Sequence, residues 1–415
     1  MTETSIDNRP YITSSGRDLR LDFLRGYFVL IMIIDHIAGP SPLYWFTGGG
    51  NKFFISGAEG FFLISGLVTG IVYHRIVECK GFLAAIKKML HRVIILYLVS
   101  TSINLISLLG LNTFWDAEKP QPQQFFRIFS LQAGGVITAY VFLYLLAPFA
   151  LMLLTKGKGK YLLTFTWLWY ILYVIFPQYV AFPFDTFTNI SGLQVIFFTA
   201  MYVGFQNHNS LNYGKNLINK NRLILFGGAF LVLIIFYIFL HPPSWMPQIS
   251  IPNETIKWLN LHIFNKPSLR PGRLIAGIVV YGSFFIFLSL YWKQTYRAIG
   301  RLIMPFGISA LYAFSLHTPF VIISDVLMTN GQNSLNFITN MLPQVAIVIV
   351  VWFLTKKQVL APTKQNLHFW YLFPFVLGLI LFLIDYVIHT FPLIPYILRA
   401  LVYWITWFPP GPAGI

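Results

Sequence analysis

Apolar runs of about 16 to 23 residues recur along the chain, divided by short polar segments. A helix rises ~1.5 Å per residue, so such runs are long enough to cross a hydrocarbon core of ~30 Å. Eleven are read, at roughly 21–38, 53–74, 89–111, 134–154, 161–176, 192–207, 222–240, 272–292, 302–324, 341–355 and 369–389. The ten-residue alternating segments of a membrane β-barrel are missing. Pro148, Gly204, Pro305, Gly307, Pro374 and Gly378 lie inside runs, where membrane helices tolerate them. The pattern predicts an all-α, polytopic transmembrane helix bundle of about eleven spans, within a range of 10–12. Residues 1–20 read as a mobile N-terminal segment, 21–389 as the transmembrane domain and 390–415 as an interfacial tail. Arg399 sits within that tail, which leaves a twelfth crossing open.

Composition points the same way. Hydrophobic residues make up 56% of the 415 and charged residues 10%, with a mean hydropathy of +0.67. A soluble domain carries about 25% charged residues. A net charge of +16 would suggest nucleic acid if the chain were soluble. Its distribution removes that reading. With the N-terminus in the cytoplasm, alternating crossings place 21 of the 29 Lys and Arg on that side and 8 on the other. That is the asymmetry of the positive-inside rule. The expected surroundings are a lipid bilayer, with no nucleic acid partner. A single cysteine, Cys79, excludes an intramolecular disulfide and any Cys-rich zinc site. The first run is too long, and its flank Ala38-Gly39-Pro40 too poor, for a cleavable signal peptide, so it is read as a retained anchor.

A titratable side chain at membrane depth costs a few kcal/mol, so each one is a candidate site. Rise per residue places His36 and His317 about 22 Å from the inner face, Glu59 about 21 Å and Asp385 about 24 Å. Four groups from four runs thus share one layer. A lone intramembrane His is often a structural hydrogen bond between helices. Glu59, among Gly57, Ala58 and Gly60, either pairs with a His or pins its helix. Asp385 reads as structural. Asp35 points away from its neighbour His36 and toward water or the first outer loop. No metal is expected, because the histidines lack a spacing such as H-x-x-x-H on one helix.

The run Leu21-Asp22-Phe23-Leu24-Arg25-Gly26, followed by Asp35-His36, resembles the opening of the acyltransferase-3 superfamily of membrane acyltransferases. Those proteins begin with an LD-x-x-RG motif and have an Arg and a His with ten residues between them. The longer stretch through Gly57-Ala58-Glu59-Gly60 to Ser65-Gly66 is similar to the OpgC branch, which contains succinyltransferases of osmoregulated periplasmic glucans. The basic residues Lys87, Lys88 and Arg92, and the stretch from Ser309 to His317, match the family's later features. The resemblance touches both ends of the chain, while the middle matches in hydrophobicity alone.

Helix geometry fits that resemblance. Eleven residues set His36 about 16 Å beyond Arg25 and about 20° round the axis, on one face. The resemblance implies an O-acyltransferase of the inner membrane, moving an acyl group, succinyl among the options, from cytosolic acyl-coenzyme A to a hydroxyl of an extracytoplasmic glycan. No cofactor beyond the donor is implied. His36 is expected to act as general base, with a covalent acyl-histidine as the other option. Glu59 is expected to orient His36, and His317 to bind the acceptor or polarise the thioester carbonyl. Arg25 is expected to hold donor phosphate, oriented by Asp22, with Lys87, Lys88 and Arg92 adding contacts or serving only as inside charge. Arg270 and Arg273 are a faint signal for an anionic acyl group, or simple helix anchors. A transporter or a membrane scaffold also carries buried His and acids, although no internal repeat is visible.

Overall fold

The computed structural model describes residues 10–13, 16–37, 39, 41–47, 53–114, 122–132, 135–181, 189–207, 219–241, 253–329, 338, 340–359 and 376. Among these the regular structure is helical, with one isolated bridge between Ile12 and Asp18. The first ten apolar runs become eleven helices, the ninth being broken in two. They are α1 (Leu19–His36), α2 (Gly57–Lys80), α3 (Phe82–Phe114), α4 (Val136–Thr155), α5 (Gly159–Ile175) and α6 (Ile190–Gln206). Then come α7 (Lys220–Leu240), α8 (Pro271–Leu290), α9 (Arg301–Ile308), α10 (Ala310–Thr329) and α11 (Met341–Lys357). Of the eleventh run only residue 376 is described, and Asp385 and the tail 390–415 lie outside the described residues.

Among the described residues five helices are long and apolar enough to cross a membrane on their own: α2, residues 82–108 of α3, α4, α7 and α8. A bent pair, Trp292–Ile308 with Ala310–Val321, raises the number to six. The first run forms a helix of full length, but Arg20, Asp22, Arg25 and Asp35 lie within it. Ion pairs and hydrogen bonds explain how Arg20, Asp22 and Arg25 are tolerated, as shown below. Large apolar side chains face outward around the bundle, among them Phe149, Phe165, Ile224, Val232, Ile275 and Ile349. A water-soluble surface does not carry such a belt.

The core is built on close backbone approaches. On α2, Gly66 and Gly70 are four residues apart; on α6, Ala200 and Gly204 have the same spacing. A Cβ added at Gly70 would overlap the Met201 carbonyl oxygen, and one at Gly204 the Leu67 carbonyl oxygen. Small residues at this spacing let membrane helices pack backbone to backbone. The same device joins α1 to α9, where Gly26 meets Ile303 and Gly307 meets the Asp22 carbonyl.

The ninth run departs from the expected single rod. It bends by 89° at Ser309, and a π-helical turn, Tyr296–Gly300, precedes α9. Gly307, Ser309 and Pro305 explain the break, since Gly/Ser pairs and Pro are where helices kink. Pro305 has no N–H for the Arg301 carbonyl. The Trp352 indole of α11 donates to that oxygen instead, at 3.3 Å.

Candidate active site

The residues that begin α1 are held by ion pairs. Asp18 caps the helix, accepting from the Arg20 backbone N–H at 3.0 Å. Its carboxylate also binds the Arg20 guanidinium, at 2.6 Å to Nη2. Arg20 is fully buried, donates to Ser289 Oγ at 2.6 Å, and lies over the rings of Tyr11 and Phe285. This arginine therefore locks the chain before α1 onto α8.

Arg25, one turn further on, is differently placed. Its Nη1 donates to Asp22 Oδ1 and to the Gly307 carbonyl, both at 3.4 Å. That carbonyl is among the last of α9, where helix oxygens lack internal partners. Asp22 is shared: its Oδ2 accepts from Arg17 Nε at 2.6 Å, and that bond raises the Arg17 guanidinium above its usual value. Arg25 lines a cavity of about 710 Å³ whose walls come from α2, α3, α4 and the broken pair α9–α10. Arg92 lines it too, together with Ser65, Tyr140 and Tyr144. Lys87 and Lys88 are exposed on α3 and do not reach the cavity. Tyr140 donates to the Phe61 carbonyl at 3.0 Å, and the Tyr144 hydroxyl meets Thr69 Oγ1 at 2.8 Å. Neither tyrosine was among the expected residues. Their i, i+4 spacing in an otherwise apolar run was the available signal.

At the far end of α1 the two expected histidines touch. His36 Nδ1 lies 2.9 Å from His317 Nε2, with the rings nearly parallel at 17°. His317 is 2% exposed, whereas His36 is open to the outside of the protein. His317 Nδ1 is bonded to the Phe314 carbonyl. A carbonyl only accepts, so in the neutral pair His317 carries its proton on Nδ1. Its Nε2 is then an acceptor, and His36 must donate from Nδ1. The proton order leaves His36 Nε2 as a bare lone pair, with no hydrogen-bond partner among the described residues. The Phe314 ring stands edge-on to both imidazoles, at 6.3 Å from His36 and 4.7 Å from His317. It also lines the cavity, which the histidines do not. Arg25 and His36 thus both face the pair α9–α10, one meeting each side of the break.

Glu59 is not beside His36. Its Oε1 accepts from Arg273 Nε at 2.6 Å and its Oε2 from the Ser56 backbone N–H at 2.8 Å. The second bond is the carboxylate half of a capping box at the start of α2. The side chain that contacts His36 is His317, not Glu59. Asp35 turns to Thr47, in the short helix Tyr44–Thr47 of the first loop, as its helix position implied. Lys266, in the loop before α8, lies within electrostatic range of His36, Asp35 and Glu59. Partial burial and neighbouring Arg273 lower its ammonium below the usual value, while Glu59 and Asp35 act the other way. Arg270 donates to the Val174 carbonyl at 2.9 Å, which is an anchoring role. Cys79 is exposed and free.

Residues 17–361 match a family model described as OpgC protein. No curated protein and no solved structure matches the chain.

Proposed function

The chain belongs to the OpgC family, and from that premise we propose that it is a membrane acyltransferase acting on a glucan. The finer reading is transfer of an acyl group, succinyl among the candidates, from acyl-coenzyme A to a glycan hydroxyl. About eleven crossings with a cytoplasmic N-terminus would set the Arg25 end toward the donor and the His36 end toward the acceptor. An acyltransferase-3 fold and an inner-membrane location belong to the same reading.

The observation that carries it is the open His36 Nε2, held in the basic tautomer by His317. In the proposed reaction this nitrogen takes the acceptor hydroxyl proton as the oxygen attacks the thioester carbonyl. A carbon–oxygen bond forms and the carbon–sulfur bond breaks. The departing thiolate takes the proton from the His36 imidazolium. His317 is thus a positioning residue, and Glu59 supports the site through Arg273 and the start of α2. Arg25 and Arg92 are the cations suited to donor phosphates, and Lys87 and Lys88 lie further from the cavity.

Purified protein supplied with labelled acyl-coenzyme A and a glucan should form labelled glucan. Failure to form product, together with movement of solute across vesicles, would replace this reading with transport. Arg25→Ala should raise the apparent KM for the donor about tenfold or more, the scale of a lost charge-assisted contact, with a smaller change in kcat. Arg25→Lys should recover only part of it, because an ammonium lacks the guanidinium fork. A fall in kcat at unchanged donor KM would count against the phosphate role.

Phe314 lines the cavity and stands edge-on to both histidines, so in this reading the donor arm passes its ring and the ring serves as a barrier to water. Phe314→Ala should let water follow, and hydrolysis of the donor without acceptor should increase relative to transfer. The milder Phe314→Leu keeps more of the packing and should show the same change to a lesser degree. An unaltered ratio in both would remove the barrier role.

A further inference from the structure

A second concavity, of about 400 Å³, opens at the Arg25 end of the bundle, away from the cavity already described. It is lined by Pro10, Trp292, Lys293, Tyr296, Arg297 and Arg301. The floor is fixed. Trp292 is buried, its indole donates to the Pro10 carbonyl at 3.1 Å, and its ring stacks on Tyr296 at 5.3 Å. It also stands edge-on to Phe23 of α1, 6.1 Å away.

The rim is three cations. Lys293, Arg297 and Arg301 are exposed, and no side-chain ion pair or hydrogen bond engages them among the described residues. The arginines of α1 and its approach are treated differently: Arg17, Arg20 and Arg25 each have Asp18 or Asp22 as partner. Among the described residues no acid side chain lines the second concavity. Three positive charges therefore converge on one hollow without a counter-charge from the described residues. Inside-facing charge by itself needs neither a hollow nor an aromatic floor. The hollow is also built on the π-helical turn Tyr296–Gly300. Such turns are rare and frequently mark functional sites.

We infer that this hollow binds a phosphate ester, held by the forks of Arg297 and Arg301 and the ammonium of Lys293 over the Trp292–Tyr296 floor. Guanidinium forks match phosphate oxygens in pairs, and an exposed site keeps them accessible. Ile299 and Leu302, both exposed on the same stretch, give room for hydrocarbon beside the cations. The phosphate can therefore come from an anionic phospholipid headgroup or from a soluble phosphate compound. The inference is independent of acyl transfer.

The test uses the purified full-length chain and two triple variants. One is Lys293→Ala with Arg297→Gln and Arg301→Gln. The other removes the same charge from the α4–α5 connection, as Lys156→Ala with Lys158→Ala and Lys160→Ala. Retained phosphatidylglycerol and phosphatidylcholine are counted by native mass spectrometry, and pyrophosphate binding by calorimetry. A fall of about tenfold in phosphatidylglycerol retention, confined to the first variant, supports the site with a lipid as source. Loss of pyrophosphate binding confined to that variant supports it with a soluble source. Equal losses in both variants, or none in either, overturn it. Arg297→Gln alone, at an exposed position, should give a partial loss, and unchanged thermal unfolding will separate that loss from misfolding.

Discussion

Replacing His36 with alanine is expected to lower acyl transfer by at least about a hundredfold, the low end of what a positioned general base contributes. The effect should fall on kcat, because Arg25 lies about 16 Å away along α1 and the donor phosphates would still be held. His317→Ala should produce a loss approaching that size, although His317 is buried behind His36. Without the Nε2 acceptor, His36 is free to place its proton on its own Nε2 and lose the basic lone pair, as when a catalytic histidine takes the wrong tautomer. His317→Gln supplies an amide oxygen to accept from His36 Nδ1, and should recover more activity than His317→Ala. That order of recovery separates proton positioning from simple packing. Full activity in His36→Ala would show that the imidazole is not the base.

The second large effect concerns the core. Gly70→Ala is expected to destabilise the protein by about 3 kcal/mol or more, the upper range for overpacking, because the added methyl meets a backbone carbonyl that cannot rotate aside. Gly204→Ala should behave alike from the opposite helix. The matched control lies on α7, where a Cβ at Gly227 or Gly228 has nothing within 4 Å. There alanine should be neutral or stabilising, since it is the better helix former. Thermal unfolding in detergent reads all four. Equal stability of the α6 and α7 variants would mean that α2 and α6 do not pack through these glycines.

What could be read before folding was whatever repeats with helix geometry. Eleven apolar runs were read, and the ten within the described residues are helical, because length and apolarity are local properties. The common face of Arg25 and His36 followed from 3.6 residues per turn, and in the structure both residues meet α9–α10. Partners were harder, because they depend on which helices meet. Glu59 and Arg273 are separated by 214 positions, and neither neighbourhood names the other. The meeting of His36 with His317 depends on the turn at Ser309, which an apolar run conceals. Arg92 reaches the cavity while Lys87 and Lys88, in the same basic run, do not, since direction around a helix decides the matter. The pair Gly66 and Gly70 was visible as small residues four apart, but only a partner helix gives that spacing meaning.

The bend at Ser309 has a mechanical consequence. α1 is one unbroken rod, so the interval between Arg25 and His36 is set by its rise and works as a ruler. The facing side is jointed, with the Arg25 contact on one segment and the His36 contact on the next. Rotation about the joint would change the gap between α1 and the jointed side while leaving the interval along α1 alone. In the proposed reaction a donor would then be gauged by reach: one whose arm is too short to span the rod could not engage both ends, however far the joint opens.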